Sequence, residues 1–436
     1  MLSLNRYQWT ILFAAWLGWG FDIFDALLFN FVAPNCIPTL LGLTIGSPEA
    51  ETATFFWTGL LTSILLLGWA AGGVFFGQVA DRIGRTKTLI ITMLLYAFGT
   101  ASCALVPNIW VLILCRIITS LGIGGEWAAG TAMVAEAVPE KSRLEAAILL
   151  QTAAPMGIFL ATFVNFQIAG VIFLDNPETS WRYVFLFGLI PAAIALLVRW
   201  FIDEPEAWQK TSNTTLPPKL SELFNTENLP STLSGVVLSL TALLTWWSVS
   251  AFLPVTSSSL AHFAAEIKGL DGNSTLMLEE KWKAMTSIIF NFGCLIGIFL
   301  TVPIAKYLGR KMMFALYFIA SAASILITFG LDLPPEIRMY LYLPMGIWVA
   351  GIFGSFSFYL PELFPTRIRA TGAGFCYNIG RIVAAGGPFL VGSVASQGTN
   401  ALNSALTTQF WFGFVPLLGL CFIPWVIETK GRVLVD

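Results

Sequence analysis

Residues 136–143 read EAVPEKSR and residues 362–369 read ELFPTRIR, so one E-x-x-P-x-x-x-R pattern occurs twice in the chain. The two copies begin at Glu136 and Glu362, which are 226 residues apart. This offset is about half of the 436 residues. A repeat of that length predicts a chain built from two related halves.

Two shorter echoes keep nearly the same spacing. Gly84-Arg85 returns as Gly309-Arg310, 225 residues later. The acidic pair Asp203-Glu204 returns as Glu428, and Asp203 is also 225 residues from its counterpart. Three separate places in the first half therefore have counterparts in the second, which supports a duplicated chain.

The composition is that of a protein in lipid. Hydrophobic residues make up 56% of the chain and charged residues 11%, and the mean hydropathy is +0.77. A soluble domain has about 25% charged residues, and a spanning helix needs roughly 20 apolar residues. We predict an all-α membrane protein with twelve transmembrane helices in two six-helix bundles, the architecture of a two-bundle transporter. The twelve spans are at about 8–33, 55–79, 88–106, 108–133, 146–173, 182–202, 233–256, 284–305, 312–331, 338–360, 371–396 and 404–427.

Positive charge is distributed unevenly between the loops, although the net charge is only −2. Cytoplasmic loops of membrane proteins carry the excess of Lys and Arg. With a cytoplasmic N-terminus, sixteen of these residues lie on the inner side and five on the outer side. We therefore predict a multi-pass protein of the plasma or inner cell membrane with both termini in the cytoplasm. The inner residues are Arg6, Arg82, Arg85, Lys87, Lys141, Arg143, Arg199, Lys210, Lys219, Lys306, Arg310, Lys311, Arg367, Arg369, Lys430 and Arg432, and the outer ones are Arg182, Lys268, Lys281, Lys283 and Arg338.

A polar segment separates the two halves. We predict an N-terminal six-helix bundle over residues 1–203, a cytoplasmic linker over 204–232 and a C-terminal six-helix bundle over 233–436. The linker mixes Thr, Ser and Asn with Pro217-Pro218, a composition too polar for the bilayer. A second polar insert, at about 257–283, is predicted on the outer side between spans seven and eight.

The sequence offers no pattern for metal or cofactor chemistry. The single histidine, His262, has no clustered ligand residues near it, and the cysteines stand singly without C-x-x-C spacing. We expect no metal, no cofactor and no nucleic-acid partner. The cysteines are predicted to be small packing residues: Cys36, Cys103, Cys115, Cys294, Cys376 and Cys421.

The stretch GQVADRIGRTK at residues 77–87 joins spans two and three in a short basic turn. It resembles the G-x-x-x-D-R-x-G-R-x-K motif of the major facilitator superfamily. The resemblance implies that Asp81 is a conformational latch, which accepts hydrogen bonds from a facing helix N-terminus, while Arg82 and Arg85 anchor the cytoplasmic side. The second half has Lys306 at the position of Asp81, so this latch is expected to be asymmetric.

A narrower resemblance rests on three further segments. Arg116 with GIGGEW at 122–127, and PELFPTRIRATG at 361–372 followed by Asn378-x-x-Arg381, resemble the metabolite:proton and sialate/lactate:proton symporter branches of the superfamily. The D-x-x-D pair in span one is also similar to that of acid symporters. The resemblance implies a proton-coupled carrier. Span seven departs from the yeast-type lactate carriers, because it lacks their polar cluster, and this leaves the substrate open.

Four charged residues lie deep in the predicted spans. At 1.5 Å per residue, Asp22 is roughly 20 Å inside span one, Arg381 roughly 18 Å inside span eleven and Arg116 roughly 12 Å inside span four. Bare charges in the bilayer are unfavourable, so they should line a wet cavity or pair with each other. One alternative is a permanent ion pair of Asp22 or Asp25 with Arg116. The other is a carboxylate that takes up and releases a proton during transport.

The remaining candidate residues fall into three groups, each with structural packing as its alternative. Glu126 in span four is a third candidate for proton coupling, with bracing of the helix end as its alternative. Gating is predicted for Asp81, Arg82, Arg85, Glu136, Arg143, Glu362 and Arg369. Substrate binding is predicted for Arg381, Arg116, Asn378, Gln151, Tyr359 and Trp247.

We predict a secondary transporter that performs no enzymatic chemistry and works by alternating access. The predicted substrate is a small organic anion, bound through a carboxylate and carried together with a proton. One alternative is a sugar or polyol carrier, or an exporter, of the same fold, in which Arg381 is structural. Another class is a sensor that binds a solute without moving it. A sensor would need a cytoplasmic output domain, and the longest cytoplasmic segment has only about 30 residues, the length of a linker.

Overall fold

A computed structural model of the protein describes residues 4–139, 142–190, 193–194, 197, 219–365 and 368–430. All regular elements in these ranges are helices, without a strand. The all-α prediction is therefore confirmed. The backbone alone is described at Asp81, Arg85, 126–133, Ala135, Glu136, Arg143, Leu144 and Ala370.

The first half contains seven helices in the described residues. The first begins with a capping box in which Asn5 and Gln8 exchange side-chain to main-chain hydrogen bonds. It ends at Gly42, whose φ of 70° allows the left-handed turn that terminates a helix. The helices are α1 (Arg6–Leu41), α2 (Pro48–Ile83), α3 (Arg85–Cys103), α4 (Ile109–Ala137), α5 (Arg143–Gln151), α6 (Ala153–Gln167) with a π turn at Ile168–Ile172, and α7 (Pro177–Phe187).

The second half contains nine α-helices in the described residues. A 3-10 turn at Leu220–Phe224 precedes them, on the amphipathic part of the predicted linker. Another at Ile423–Trp425 follows the last one. The helices are α8 (Leu229–Ser250), α9 (Leu253–Lys268), α10 (Gly272–Leu308), α11 (Arg310–Gly330), α12 (Pro335–Glu362), α13 (Arg369–Ala384), α14 (Gly386–Gln397), α15 (Ala401–Phe412) and α16 (Val415–Leu420).

Each of the twelve predicted spans falls on described helix for at least part of its length. Nine helical stretches of the described chain are long and apolar enough to cross a bilayer, and Ile109–Gly125 is a shorter apolar one. Most of the sixth predicted span beyond residue 190 lies outside the described residues, as does most of the linker. The polar insert at 257–283 is mainly helical, because α9 continues to Lys268 and α10 begins at Gly272.

Four predicted spans are divided into two helices, and proline explains where. The first helix ends at Gln151, Ser250, Ala384 or Phe412, each four residues before a proline. A proline has no N–H to donate to the carbonyl four residues earlier, and its ring collides with that carbonyl. The four prolines are Pro155, Pro254, Pro388 and Pro416.

The two halves repeat the same close helix pair. A Cβ atom added to Gly72 of α2 would collide with the carbonyl of Leu121 on α4. In the second half, a Cβ atom added to Gly346 of α12 would collide with the carbonyl of Phe290 on α10. Small residues let helix backbones approach this closely in membranes. We name the end of the molecule where α1 begins the inner face and the end where α1 reaches Leu41 the outer face.

Candidate functional site

The guanidinium of Arg381 lies between aromatic rings of both halves. Arg381 is on α13 and is 2% exposed. Its Cζ is 4.3 Å from the ring centroid of Trp69 on α2 and 4.9 Å from that of Tyr377. Its Nη1 donates a 3.0 Å hydrogen bond to Oδ1 of Asn378, one turn earlier. Cation–π contact with ring faces holds the guanidinium where the two halves meet.

Further aromatic rings extend this site. Trp69 packs against Trp19 of the same half, with ring centroids 6.0 Å apart. It also packs against Trp247 of α8, at 6.2 Å and nearly perpendicular. Tyr377 packs against Phe356 at 6.0 Å. The structure thus brings three predicted binding residues, Arg381, Asn378 and Trp247, together around Trp69.

The two acidic residues of α1 are buried inside the first half. Asp22 is 0% exposed and Asp25 is 2% exposed. The Thr100 hydroxyl of α3 lies 2.7 and 2.6 Å from the two carboxylate oxygens of Asp25 and donates to this carboxylate. These contacts fasten the carboxylate to α3 within the first half.

Arg116 of α4 contacts the main chain of α1. Its guanidinium donates to the carbonyl of Asp25 at 3.4 Å and to that of Ala26 at 3.0 Å. It also lies 5.6 Å from the ring centroid of Phe29. Arg116 therefore ties spans one and four together, as one alternative required, but through main-chain carbonyls.

Two other predicted binding residues are placed differently. The Tyr359 hydroxyl is 3.0 Å from the Ser234 hydroxyl and donates to the carbonyl of Ile427 at 3.0 Å. These contacts join α12, α8 and the end of the chain within the second half. Gln151 is half-buried at the end of α5. Substrate contact at Tyr359 and Gln151 stays a prediction.

The gating charges of the second half form one cluster at the inner face. Arg310 makes a bidentate pair with Glu362, at 3.2 Å from Nε and 2.8 Å from Nη2. Glu428 accepts hydrogen bonds from the main-chain N–H groups of Arg310 and Lys311, at 3.0 and 3.1 Å, in the first turn of α11. The second-half copies of all three sequence echoes therefore meet here.

The main-chain N–H groups change the acidity of Glu428. Burial by itself would raise the pKa of this carboxyl. Hydrogen bonds from the N–H groups of Arg310, Lys430 and Lys311 outweigh burial and hold its pKa below the usual value. A carboxylate at a helix N-terminus also interacts favourably with the helix dipole. Glu428 is therefore an anionic cap of α11 at neutral pH.

The other gating predictions are described less fully. Arg82 is exposed, and the Nε of Arg369 donates to the carbonyl of Phe364 at 3.4 Å. The remaining predicted side chains lie outside what the structure describes, although their backbone is helical: Asp81, Arg85, Glu126, Glu136 and Arg143.

Sequence reasoning missed Trp69 and Tyr377 as partners of Arg381. It also missed a buried charged pair, Glu280 and Lys283, on α10. Tyr377 precedes Asn378 in the quoted motif, so its position was a usable signal. Trp69 had no distinguishing signal, since it is one of 16 tryptophans. The charged pair falls in the segment that was interpreted as a polar insert.

A polytopic helical protein with two repeated halves and a buried charged site between them has the architecture of a secondary transporter. The profile of the Major Facilitator Superfamily matches residues 9–427. The chain therefore belongs to this superfamily and is a multi-pass membrane transporter, not an enzyme. The resemblance inferred from the motifs is confirmed.

Similar proteins cover almost the whole chain. A Haemophilus influenzae protein named for metabolite transport is 28% identical, with 99% of each chain covered. The cis,cis-muconate transport protein of Acinetobacter baylyi is 28% identical over 90% of this chain and 93% of its own. The crystal structure of a D-xylose-proton symporter superposes with a TM-score of 0.74 at 19% identity, covering 98% of this chain and 100% of that one. At this identity the superposition shows the fold alone.

Proposed function

We propose that the protein is a proton-coupled symporter of a small organic anion and that it binds the anion through a carboxylate. The observation that supports this most directly is the guanidinium of Arg381, buried between Trp69 and Tyr377 where the two halves meet. The planar fork of Arg matches a carboxylate through two charge-assisted hydrogen bonds. Asn378 orients the guanidinium from one turn away.

The surrounding rings favour a substrate with a flat apolar part. Trp69, Trp247 and Tyr377 offer ring faces beside the guanidinium. Binding sites of small molecules are mostly apolar, with a few polar groups that fix orientation. An unsaturated or aromatic carboxylate satisfies both requirements. The relative named for cis,cis-muconate agrees with an organic anion.

Proton coupling is assigned to the acidic pair of α1. Asp22 and Asp25 are buried carboxyl groups in an apolar helix, and ionisable groups at such depth are functional candidates in membrane proteins. Protonation of one of them would neutralise the first half while the anion occupies Arg381. In this proposal the two halves are the bundles 1–203 and 233–436, both termini face the cytoplasm, and the central site opens to each side in turn.

Uptake into proteoliposomes tests the proposal. The purified carrier would be given labelled monocarboxylates, dicarboxylates, sialic acid and sugars, with and without an inward proton gradient. We expect a carboxylate to accumulate only with the gradient and to acidify the lumen as it enters. Accumulation of an uncharged sugar instead, with carboxylates inactive, would replace the proposal by the sugar alternative, for which the fold of the xylose symporter is suitable.

A further inference from the structure

Glu280 and Lys283 are two charged residues buried one turn apart on α10. Glu280 is 4% exposed and Lys283 is 1% exposed. The Lys283 Nζ lies 2.6 Å from Oε1 of Glu280. Burying an isolated charge in a low-dielectric interior is very unfavourable, whereas a paired and hydrogen-bonded charge is tolerated. The two residues therefore form a neutral unit that belongs to one helix of the second half.

This unit is hydrogen-bonded to the first half at three points. Nδ2 of Asn35, on α1, donates to Oε1 of Glu280 at 3.2 Å. Nδ2 of Asn165, on α6, donates to Oε2 of Glu280 at 2.8 Å. Lys283 Nζ donates to the main-chain carbonyl of Phe31 at 3.3 Å. Both carboxylate oxygens and the ammonium group thus have partners across the boundary between the halves.

The cluster lies near the outer face. Asn35 is six residues before the end of α1 at Leu41, and Glu280 is eight residues after the start of α10 at Gly272. Deeper in the molecule the halves also touch, because the Ser63 hydroxyl of α2 donates to the carbonyl of Ala385 at 2.6 Å. The charged unit is therefore the polar part of a closed seam on this side.

Separation of the halves would break this seam unevenly. Glu280 and Lys283 move together on α10, while Asn35, Asn165 and Phe31 move with the first half. Water would replace the lost partners in the open state. In the closed state there is no such replacement, so removal of one charge leaves the other buried without compensation. Closure on this side therefore depends on the presence of both charges or of neither.

We propose that Glu280 and Lys283 are positioning residues of the transport cycle that hold the outer face closed while the site is open to the inner side. They act by matching charge across the seam and do not touch the substrate. The proposal does not depend on the proposed function, because any substrate of this carrier requires the outer face to close. The amides of Asn35 and Asn165 supply the contacts that the two halves make and break.

A single cysteine beneath the seam can report closure. Ser250 of α8 is 8% exposed and lines a small cavity between the halves together with Asn30 and Phe31. The reporter is Ser250→Cys in a full-length background whose six native cysteines are replaced and whose uptake activity is retained. A membrane-impermeant thiol reagent is added on the outer side, and the labelling rate is measured.

We expect Glu280→Gln and Lys283→Met each to raise the labelling rate at least about tenfold, since each leaves one buried charge unmatched. The double variant Glu280→Gln/Lys283→Met should label about as slowly as the parent, because it buries no charge. A structural defect unrelated to charge would instead accumulate in the double variant. Labelling of the double variant as fast as that of the singles would overturn the proposal.

Milder variants keep the test decisive if a single charge variant fails to insert. Asn165→Ala retains both charges and removes only the 2.8 Å donor from the first half, and we expect labelling to rise several-fold. The matched control is the exposed pair Lys268 and Glu336, 3.1 Å apart within the second half. Lys268→Met should leave the rate unchanged. An unchanged rate in Asn165→Ala, or an equal rise in Lys268→Met, contradicts the assignment.

Discussion

Arg381 is the residue on which the organic-anion proposal depends. Its position, a dozen residues inside span eleven, follows from the sequence, and its environment follows from the fold. The nearest ring of the other half is Trp69, 312 residues away in the chain. Lys could supply the charge at this position, but it lacks the planar fork that pairs with a carboxylate and stacks on ring faces.

We expect Arg381→Lys to weaken substrate binding by about 1.5 to 3 kcal/mol, the range of a hydrogen bond to a charged group. Binding of the identified carboxylate would be measured by calorimetry or tracer displacement on protein that elutes as the wild type does. An amide or ester analogue should bind wild type and variant about equally poorly. Normal affinity in Arg381→Lys would remove the residue from the site and favour the sugar alternative.

The acidic residues of α1 carry the coupling prediction. Asp22→Asn and Asp25→Asn each imitate a permanently protonated carboxyl group. At least one should abolish proton-driven accumulation and retain exchange of labelled for unlabelled substrate, because exchange needs no net proton movement. Asp25→Asn also keeps an acceptor for the Thr100 hydroxyl, so the contact to α3 can persist. If both variants concentrate substrate normally, the protonation site lies elsewhere and Glu126 becomes the next candidate.

Among the helices, the duplicated motifs acquire a physical meaning in the second half. Glu362 ends α12, Arg310 begins α11 and Glu428 follows the last span. Their side chains meet at the inner face, and Glu362 also accepts a hydrogen bond from the Thr429 hydroxyl. The E-x-x-P-x-x-x-R pattern and the Gly-Arg turn are therefore the two sides of one contact, although they are 52 residues apart.

A double-mutant cycle tests this contact. Arg310→Ala and Glu362→Gln should each reduce stability in detergent, and their combined effect should fall short of the sum by about 1 kcal/mol, since the two residues touch. Differential thermal unfolding of the four proteins gives the coupling. The repeat predicts the same coupling between Arg85 and Glu136 in the first half. Additive effects at Arg310 and Glu362 would contradict the pairing.

At the scale of the whole molecule, the orientation in the membrane is the prediction that the other experiments assume. Single cysteines at Ser212 and Ser274, in an otherwise cysteine-free protein, should label from opposite faces. The linker residue should react only from the cytoplasm, and the residue at the start of α10 only from outside. Equal labelling of both by an impermeant reagent outside intact cells would overturn the twelve-span arrangement.

The sequence by itself determined the helices and their duplication. Lipid offers no hydrogen-bond partners to the backbone, so each long apolar stretch has to form a helix, whatever its neighbours are. Proline placed four of the helix breaks by a local steric rule that needs no tertiary information. The charged motifs at the inner face were likewise visible, because their spacing repeats along the chain.

Only the tertiary structure decided which residues meet between the halves. Asn35 and Glu280 are 245 residues apart, and Ser63 and Ala385 are 322 apart. No local pattern specifies such contacts, because they depend on how two separately folded bundles face each other. The same holds for Arg116, whose expected carboxylate partner gave way to main-chain carbonyls. Periodicity and sterics act within a helix, whereas the site and the outer seam depend on packing between helices.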